Sequence, residues 1–325
     1  MDVQLTPAVN GMAMPNISQS GRAVPAIGDL KSRVMTFMRG ASTEITPSEE
    51  NRLSELAGLL PPGTAVYVAH TPHASFAQVI HAALAVRRAG FLATPHIAVR
   101  RVPDSGTLRA ALAELRAGGV EDILLIAGDA PRPVGEFSGT LDVLESRIIE
   151  ESGIARMGIA GHPEGHNAVA TPLLWQALES KQAFAARTGV RAHIVTQFGL
   201  DGAAFRRWER ELMRRRILLP VRIGIAGPAP MAKLLHFAIQ CGIGASMRAL
   251  MGNLSSAAHS SDLATTPDRH LLSLLQAPVS AQIVAPHFFA FGGALETARW
   301  MRKIAAGTFE IDASAGQFKM QMHQR

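Results

Sequence analysis

Short apolar runs that end in polar clusters recur along this chain and alternate with amphipathic segments of helical period. Each run has the length of a strand, and such alternation predicts parallel strands joined by helices. The clearest polar ends are Ser42-Thr43-Glu44-Ile45-Thr46-Pro47, Thr94-Pro95-His96-Ile97-Ala98, Leu125-Ile126-Ala127-Gly128-Asp129-Ala130-Pro131, Gly161-His162-Pro163-Glu164-Gly165-His166, Ile194-Val195-Thr196-Gln197-Phe198-Gly199 and Ile223-Gly224-Ile225-Ala226-Gly227-Pro228. Polar groups gathered where successive buried strands end are typical of the active site of a (β/α)8 barrel.

The number of strands favours a closed sheet. We predict strands over 42–46, 65–69, 93–98, 122–127, 157–161, 192–197, 221–226 and 287–291. Eight strand–helix units in about 265 residues match a closed (β/α)8 TIM barrel of the α/β class, although an open doubly wound sheet shows the same alternation. Gly224 and Gly227 follow a strand, but no G-x-G-x-x-G with a later acidic residue accompanies them, so a Rossmann dinucleotide site has little support.

The segments between the strands have the apolar spacing of helices. We predict helices over 30–38, from Ser48, over 76–89, from Ser105, from Leu141, and over 170–187, 203–216, 230–241, 269–275 and 294–305. Ser48 precedes two glutamates and is the expected N-cap of its helix. We therefore divide the chain into an N-terminal tail and capping helix (1–40), the barrel (41–308) and a C-terminal tail (309–325).

Composition indicates a soluble, cytoplasmic protein. Of its 325 residues, 47% are hydrophobic and 18% are charged. No apolar run approaches the roughly 18 residues of a membrane span, and no secretory signal pattern opens the sequence. Cys241 is the only cysteine, so an intrachain disulfide is excluded, and we predict a buried thiol. The net charge of +6 comes mainly from dispersed arginines, and without aromatic residues interleaved among them it gives no support for nucleic-acid binding.

Two carboxylates stand at predicted strand ends. Glu44 lies inside an apolar run between Thr43 and Thr46. If its side chain points into the barrel, loss of solvent raises its pKa and suits it to general acid catalysis; otherwise it is an exposed strand-end carboxylate. Asp129 follows Gly128 after the most apolar run of the chain, and it either lies at the catalytic rim or caps the loop that follows.

The segment from His162 to His166 holds two histidines and Glu164 in an H-x-E-x-H arrangement. A metal site is one interpretation, but the proline and glycine between the three indicate a loop, and hydrogen bonding to an organic ligand is favoured over a metal or a purely structural role. Gln197 ends a buried strand, where its amide either meets a heterocycle or is a satisfied core amide. No G-x-S-x-G elbow or P-loop is present, which disfavours serine hydrolases and NTPases.

Taken in order, these motifs resemble the methylenetetrahydrofolate reductase family. The matching pieces are Thr43-Glu44-Ile45-Thr46-Pro47, Pro95-His96-Ile97, Gly128-Asp129-Ala130-Pro131, His162-Pro163-Glu164-Gly165-His166, and Thr196-Gln197-Phe198 followed by Asp201. The resemblance runs from about residue 42 to 305 and rests on five short motifs in the right order. It implies a flavin-containing (β/α)8 barrel that interconverts 5,10-methylenetetrahydrofolate and 5-methyltetrahydrofolate in one-carbon metabolism and methionine biosynthesis, with FAD as cofactor and NAD(P)H as the usual electron donor.

The resemblance also implies roles for single residues. Glu44 matches the general acid that assists opening of the folate imidazolidine ring, Asp129 the aspartate that contacts the pterin and tunes the flavin, and Gln197 the glutamine that contacts the pterin. The residues expected to bind the flavin are His96, Gly128, Ala160, His162, His166 and, near its phosphates, Lys181. The hydride would come from flavin N5, because side chains do not supply hydride. No metal is expected, folate is the expected partner, and the chain could form a homo-oligomer.

The chain departs from the family where cations usually meet the flavin phosphates. The family often has arginine before Gly-Asp, where this chain has Ala127, and a basic pair that aligns with Gln182 and Ala183. Fewer fixed cations mean fewer charge-assisted bonds to a pyrophosphate, so we expect FAD to bind weakly. Met231 and Phe289 also replace a stacking aromatic residue and a tyrosine. The alternative function is a non-redox folate-binding protein or a methyltetrahydrofolate-using transferase.

Overall fold

The computed structural model describes residues 27–199, 202–241, 243, 264–277, 279–312 and 316–320. Among them, eight parallel strands form a closed barrel, which confirms the predicted fold class. These strands are β1 (Ser42–Ile45), β2 (Ala65–Val68), β3 (Leu92–Ala98), β4 (Asp122–Ile126), β5 (Arg156–Gly161), β6 (Arg191–Thr196), β7 (Val221–Ala226) and β10 (Ile283–Phe289). They follow one another around the barrel in chain order, and β10 pairs with β1 to close it. After β7, the short strands β8 (Ala229–Pro230) and β9 (Ala264–Thr265) form an antiparallel pair.

Helices follow the strands, as the apolar spacing predicts. They are α1 (Ile27–Met38), α2 (Leu53–Ala57), α3 (Phe76–Arg88), α4 (Ser105–Ala117), α5 (Thr140–Glu145), α6 (Ile148–Ser152), α7 (Thr171–Thr188), α8 (Gly202–Arg214), α9 (Met231–Cys241), α10 (Asp268–Leu275) and α11 (Ala294–Ala305). Short 3-10 helices cover Pro47–Arg52 and Val99–Arg101. No described helix combines the length and the apolarity that crossing a membrane requires.

Two helix boundaries differ from the predicted ones for local reasons. Thr46, rather than Ser48, caps the segment after β1, because Glu49 accepts a hydrogen bond from the Thr46 backbone N–H at 2.9 Å and completes a capping box. The helix predicted from Leu141 is divided into α5 and α6, because Arg147 has a left-handed φ of 62° between them. Neither change moves the strands.

The last barrel strand begins earlier than predicted. The sequence indicated a strand over 287–291, whereas β10 starts at Ile283 and ends at Phe289. Pro286 lies inside it, next to a register shift between Ile283 and Ala285 in the pairing with β7. Proline usually marks a strand edge or a bulge, and for that reason the sequence pattern alone placed the start after Pro286.

Side chains alternate between two environments along each strand. Those that point outward pack under the helices in one large apolar core, which includes the fully buried Ile97, Ile123 and Ile159. Inside the barrel, the apolar cluster that includes Tyr67, Leu124 and Val195 is small and separate from that core. Much of the remaining barrel interior is therefore available to polar side chains.

The end of the barrel where the strands begin is covered by α1 and by a hairpin of β11 (Phe309–Asp312) and β12 (Gln317–Met320). Phe309 and Phe318 are buried, with ring centroids 4.6 Å apart. The buried carboxylate of Asp268 accepts hydrogen bonds at 3.0 Å from Trp300 Nε1 and from the Phe318 backbone N–H. The hairpin lies in the region predicted as a C-terminal tail, and it adds apolar cover to the base of the barrel.

Some sequence-based expectations fall on parts that the structure does not describe. Residues 1–26 of the predicted N-terminal tail lie outside the described ranges, whereas the predicted capping helix is α1. The side chain of Cys241 and the motif residue Asp201 also lie outside them.

Candidate active site

The carboxyl-terminal ends of the parallel strands meet at one end of the barrel, called here the mouth. Most of the predicted site residues lie there: Glu44 on β1, His96 on β3, Gly128 and Asp129 after β4, Ala160 on β5, His162 and His166 after β5, and Gln197 after β6. Lys181 differs, because it lies on α7 outside the barrel wall. The topology thus gathers residues that are up to 153 positions apart along the chain, from Glu44 to Gln197.

Glu44 is buried in the inner wall of β1, with 7% of its surface exposed. Its carboxyl group accepts hydrogen bonds from the backbone N–H groups of Phe291 and Ala290. Burial raises the pKa of Glu44 to about 8, and the two hydrogen bonds lower it by less. Glu44 is therefore not an exposed strand-end carboxylate, and it keeps its proton at neutral pH, as a general acid must.

The turn after β10 holds the two backbone donors in place. Phe291 has a φ of 51° and Gly292 a φ of 76°, and the left-handed region costs a residue with a side chain roughly 1–2 kcal/mol. Glu49 fixes the same turn, because its Oε1 accepts from the Ala294 backbone N–H at 3.1 Å. Backbone strain held beside a buried titratable group is typical of functional sites.

Asp129 lies at the rim of the mouth, and a glycine turn places it there. Gly128 has a φ of 85°, and a Cβ at this position would lie 2.9 Å from the Cβ of Ala98, so only glycine fits. Asp129 Oδ1 accepts from Arg101 Nη2 at 2.8 Å and from Arg101 Nε at 3.3 Å. Because these bonds go to Arg101 and not to the following loop, the rim position is the one observed. Sequence reasoning missed Arg101, although two consecutive arginines at the end of β3 were a signal.

Arg100 lies beside Ala127, the position where the family often has arginine. Its backbone N–H donates to Ala127 O at 3.1 Å, and its guanidinium donates to Ser138 O at 2.7 Å and to Ala130 O at 3.4 Å. Arg100 Nη2 has no hydrogen-bond partner among the described residues. The positive charge of Arg100 also helps to lower the pKa of His166, after burial. The alanine at 127 is thus accompanied by a cation on the 3-10 helix that follows the neighbouring strand β3.

The loop after β5 carries two neutral histidines. The rings of His162 and His166 lie 5.2 Å apart at 88°. Burial lowers the pKa of His162 to about 4, helped by the charges of His166 and Lys181. His166 Nδ1 accepts from the Ala168 backbone N–H at 3.1 Å, which fixes its orientation. Within the part of the chain that the structure describes, no three His, Cys, Asp or Glu side chains converge as metal ligands would.

Lys181 and its two neighbours on α7 have different surroundings. Lys181 is buried, with 6% of its surface exposed, and burial lowers its pKa to about 8. Gln182 Nε2 donates to Arg216 O at 3.0 Å, and Gln182 Oε1 accepts from the Leu218 N–H at 2.6 Å. These partners precede β7, so Gln182 faces the base of the barrel, and Ala183 is exposed. Cations at 182 and 183 would not reach the mouth.

Gln197 follows β6 directly, and its backbone is held on both sides. Its N–H donates to Gly161 O at 2.8 Å. On the other side β7 approaches so closely that a Cβ on Gly224 would lie 2.3 Å from Thr196 O and 2.8 Å from the Gln197 carbonyl carbon. Thr196 Oγ1 accepts from the Gly224 N–H at 2.8 Å. Close packing of three strands therefore sets the position of the Gln197 backbone.

A wall of phenylalanines covers one side of the mouth. Phe198 follows β6, Phe289 ends β10 and Phe291 lies in the turn after it. The Phe198–Phe291 and Phe198–Phe289 ring centroids are 5.1 and 5.8 Å apart. Phe237 of α9 stacks on Phe291 at 4.7 Å. Sequence reasoning did not assign this wall, although aromatic residues at two strand ends were visible. Phe198 and Phe291 are buried, with 2% and 8% of their surface exposed. The half-buried Phe289 and Phe237 are the members that leave apolar surface against which a planar ring can pack.

Below the mouth, polar side chains cross the inside of the barrel. Tyr67 Oη lies 3.1 Å from His193 Nε2, and because β2 and β6 are not neighbours this contact spans the interior. Ser42 Oγ lies 3.0 Å from His287 Nδ1, and the His287 ring lies 4.4 Å from Tyr67. Burial lowers the pKa of His96 to about 3 and that of His193 to about 4. In the sequence, histidines at the inward positions of apolar strands were the signal that could have predicted this polar interior.

Two cavities open beside the mouth. One of about 520 Å³ lies between the segment after β1 and the start of α3, with Ser48, Thr71 and His73 in its lining. The other, of about 360 Å³, lies between the histidine loop, α7 and α8, and in its wall Trp175 and Trp208 stack with centroids 6.1 Å apart. Both offer room next to the residues described above.

Comparison with known proteins gives likeness of fold. No family model matches the chain. Among solved structures, it is similar to a mutant tryptophan synthase alpha-subunit from the hyperthermophile Pyrococcus furiosus, at 14% identity over 82% of this chain and 98% of that one, with a TM-score of 0.44. It is also similar to dihydropteroate synthase from Thermus thermophilus, at 12% identity over 79% and 91% of the two chains, with a TM-score of 0.40. At such identities and TM-scores the likeness carries nothing about function.

Proposed function

We propose that this chain is a flavin-dependent oxidoreductase that interconverts 5,10-methylenetetrahydrofolate and 5-methyltetrahydrofolate. The observation that carries the proposal is Glu44, a buried carboxyl whose pKa is raised to about 8, at a barrel mouth that also holds Asp129 and Gln197. A proton donor and two pterin-binding groups are what this reaction needs from a protein. They are also the three residues to which the resemblance to the methylenetetrahydrofolate reductase family gives roles.

Glu44 has a proton to give at neutral pH. Opening the imidazolidine ring of 5,10-methylenetetrahydrofolate breaks the bond between the bridging carbon and N10, and a proton delivered to N10 makes that nitrogen a better leaving group. The folate then carries an N5 iminium that can accept hydride. In the opposite direction, ionised Glu44 takes the proton back as N10 closes the ring. A positioned general acid contributes about 10²–10⁴ in rate.

Asp129 and Gln197 suit the pterin ring. A pterin presents N–H donors beside ring acceptors, which a carboxylate and an amide can meet together. In the phenylalanine wall, the half-buried Phe289, packed on the buried Phe198, offers apolar surface beside these polar groups. Orientation by fixed polar groups and burial of the ring by aromatic ones is how small-ligand sites generally combine specificity with affinity.

The inner surface at β3, β4 and β5 fits FAD. Gly128 turns the chain at the mouth and Ala160 is a small, half-buried side chain on β5. The buried His96 Nε2 has no hydrogen-bond partner among the described residues, so it can bond to a ligand. Positive charge or hydrogen bonding for the phosphates is offered by Arg100, His162, His166 and Lys181. When bound, FAD would supply or accept the hydride, with NAD(P)H as the expected electron source.

The alternative is a folate protein without a flavin. What favours it is that Ala127, Gln182 and Ala183 carry no charge where the family commonly has cations, and that Gln182 faces the base of the barrel. Each lost charge-assisted contact costs roughly 1.5–3 kcal/mol, or one to two decades of affinity. Arg100 offsets part of this loss, so we expect FAD to bind with micromolar affinity.

Visible absorbance of the purified protein, followed by titration with FAD, separates the two functions. We expect partly empty protein whose bound-flavin spectrum grows on adding FAD with a micromolar Kd. Nanomolar binding would mean that the phosphate site is stronger than proposed. A spectrum identical to that of free FAD even at high micromolar concentration would favour the flavin-free alternative.

The catalytic assignment is tested with 5-methyltetrahydrofolate oxidation in the presence of an artificial electron acceptor. We expect Glu44→Gln to keep folate binding and lose about 10²–10⁴ in turnover. Glu50→Gln is the matched control. Glu50 stands in the segment after β1, and its Oε1 lies 3.3 Å from His81 Nε2, so it faces His81 and not Glu44. Full turnover in the Glu44 variant would remove this residue from the mechanism.

A further inference from the structure

Arg101 makes three hydrogen bonds, and they join three loops of the mouth. Its Nη2 and Nε donate to Asp129 Oδ1 at 2.8 and 3.3 Å, and its Nη1 donates to Pro72 O at 3.4 Å. The Arg101 side chain is 20% exposed and the Asp129 side chain 46%. The loop after β2, the end of β3 and the loop after β4 are thus tied through one guanidinium.

The pairing follows from the strand register. Ala98 of β3 is the register partner of Ile126 of β4. Arg101 and Asp129 each lie three residues beyond that pair, so the two side chains leave neighbouring strands at the same height. Gly128, at a φ of 85°, gives the Asp129 backbone a turn that does not by itself fix the carboxylate, and the Arg101 fork supplies that constraint.

The two oxygens of Asp129 differ. Oδ1 takes both bonds from Arg101, whereas Oδ2 has no hydrogen-bond partner among the described residues. An anchored carboxylate with one free oxygen is preorganised to accept from a ligand N–H. Arg101 itself has Nε, Nη1 and Nη2 engaged, so its part is to hold Asp129. Arg100 differs, because its Nη2 has no hydrogen-bond partner among the described residues.

We propose that Arg101 is a positioning residue for the reaction: it holds Asp129 by one oxygen, leaves the other for the pterin ring of folate, and offsets the negative charge of Asp129 at the flavin. The inference rests on the proposed function and adds a residue to it. An unpaired aspartate beside a flavin makes reduction harder, because reduction adds negative charge. The guanidinium at 2.8 Å cancels part of that field.

Two measurements on five variants test the inference. The affinity for 5-methyltetrahydrofolate is measured by calorimetry, and the flavin midpoint potential is measured in the FAD-loaded protein. We expect Arg101→Met to weaken folate binding about tenfold when residue 129 is Asp, and less than twofold in the Asp129→Asn background. Arg101→Met should lower the potential and Asp129→Asn raise it, each by about a tenfold change in the reduction equilibrium, which is about 30 mV for a two-electron couple. The double variant should return close to wild type.

Arg132→Met is the control, because Arg132 is exposed in the same loop and should change neither quantity. Arg101→Lys keeps the charge but not the fork, so it should keep the potential and lose part of the affinity. Equal loss of affinity in both backgrounds, or a potential that does not fall in Arg101→Met, would overturn the inference.

Failure of the proposed function has a different signature. Wild-type protein that binds neither FAD nor 5-methyltetrahydrofolate overturns the function and the inference together. Wild-type protein that binds both, with Arg101→Met indistinguishable from Arg132→Met, overturns the inference alone. If folate binds and FAD does not, the flavin function fails, and the affinity measurements in the two backgrounds still decide whether Arg101 positions Asp129.

Discussion

Single buried residues make the stability of this barrel depend on pH in two opposing ways. Glu44 titrates near 8 when folded and near its ordinary value of 4.5 when unfolded. The folded state therefore holds a proton that the unfolded state has released, and the free energy of unfolding falls as pH rises through this window. His96 and His193 titrate near 3 and 4 when folded and near 6.5 when unfolded, so their contribution is lost as pH falls below 6.5.

Glu44→Gln isolates the first of these effects. Glutamine resembles the protonated acid, so we expect equal stability of variant and wild type near pH 4, below the unfolded pKa of Glu44, and a variant that is more stable near pH 8. Each unit of raised pKa corresponds to about 1.4 kcal/mol, which gives a difference of several kcal/mol at the upper end. Urea unfolding across this range measures it, and parallel curves for the two proteins would show that the pKa of Glu44 is not raised.

The hydrogen bond between Tyr67 and His193 can be tested from both sides. Tyr67→Phe leaves His193 Nε2 without its partner at 3.1 Å, and we expect a loss of about 1–3 kcal/mol. Adding His193→Leu removes the orphaned group and should recover much of that loss. Chemical denaturation of the two single variants and the double variant measures these losses. If the double variant loses more free energy of unfolding than the two single variants together, packing and not the hydrogen bond sets the cost.

At the scale of elements, much of the fold could be predicted from the sequence. Apolar runs of strand length predicted all eight barrel strands. A strand of a parallel barrel is buried on both faces, so its sequence is a nearly continuous apolar run. The predicted ends of helices and strands were wrong where a local feature, and not the apolar period, sets the boundary, as at Thr46, Arg147 and Pro286. Those departures depend on a capping partner, a left-handed residue and a register shift, none of which a period encodes.

The candidate site was predictable only in part for the same reason. Strand ends identify which residues reach the mouth, so Glu44, Asp129 and Gln197 could be named in advance. The Arg101–Asp129 pair required the register of β3 against β4, and the neutral histidines required knowing which face of each strand points inward. Positions 182 and 183 could not be placed from the sequence, because only the contacts of Gln182 with Arg216 and Leu218 show that it faces the base of the barrel.

Close approach of β6 and β7 makes Gly224 a sharp probe of the strand packing. A Cβ there would lie 2.3 Å from Thr196 O and 2.7 Å from Phe289 Cε2. Gly224→Ala should therefore displace β7 and cost about 1–3 kcal/mol or more. On the proposed function, it should also weaken folate binding through Gln197. Gly58→Ala is the control, because its nearest atom lies at 3.4 Å in a right-handed turn; equal thermal stability of the two variants would contradict this account.

At the scale of the whole molecule, the base and the mouth are separate structures joined by the barrel wall. Asp268 binds Trp300 and Phe318 at the base, on the side away from Glu44. Asp268→Ala leaves two buried N–H groups without acceptors, and we expect a loss of about 2–4 kcal/mol. On the proposed function, the Kd for FAD of the variant below its unfolding temperature should match wild type, and a changed Kd would show that base and mouth are coupled. Asp29→Asn, at an exposed position of α1, serves as the control.

The placement of the three tryptophans has a practical consequence for following this molecule in solution. Trp175 and Trp208 stack beside the histidine loop, with Arg215 5.1 Å from the centre of the Trp175 ring, whereas Trp300 packs against Phe318 at the base. Intrinsic fluorescence thus carries two signals of different origin. A change in fluorescence intensity that is still seen in Trp300→Phe reports on the wall of the cavity between α7 and α8. A change that is lost in Trp300→Phe reports on the opening of the base. Fluorescence can therefore follow events at the two ends of the barrel independently.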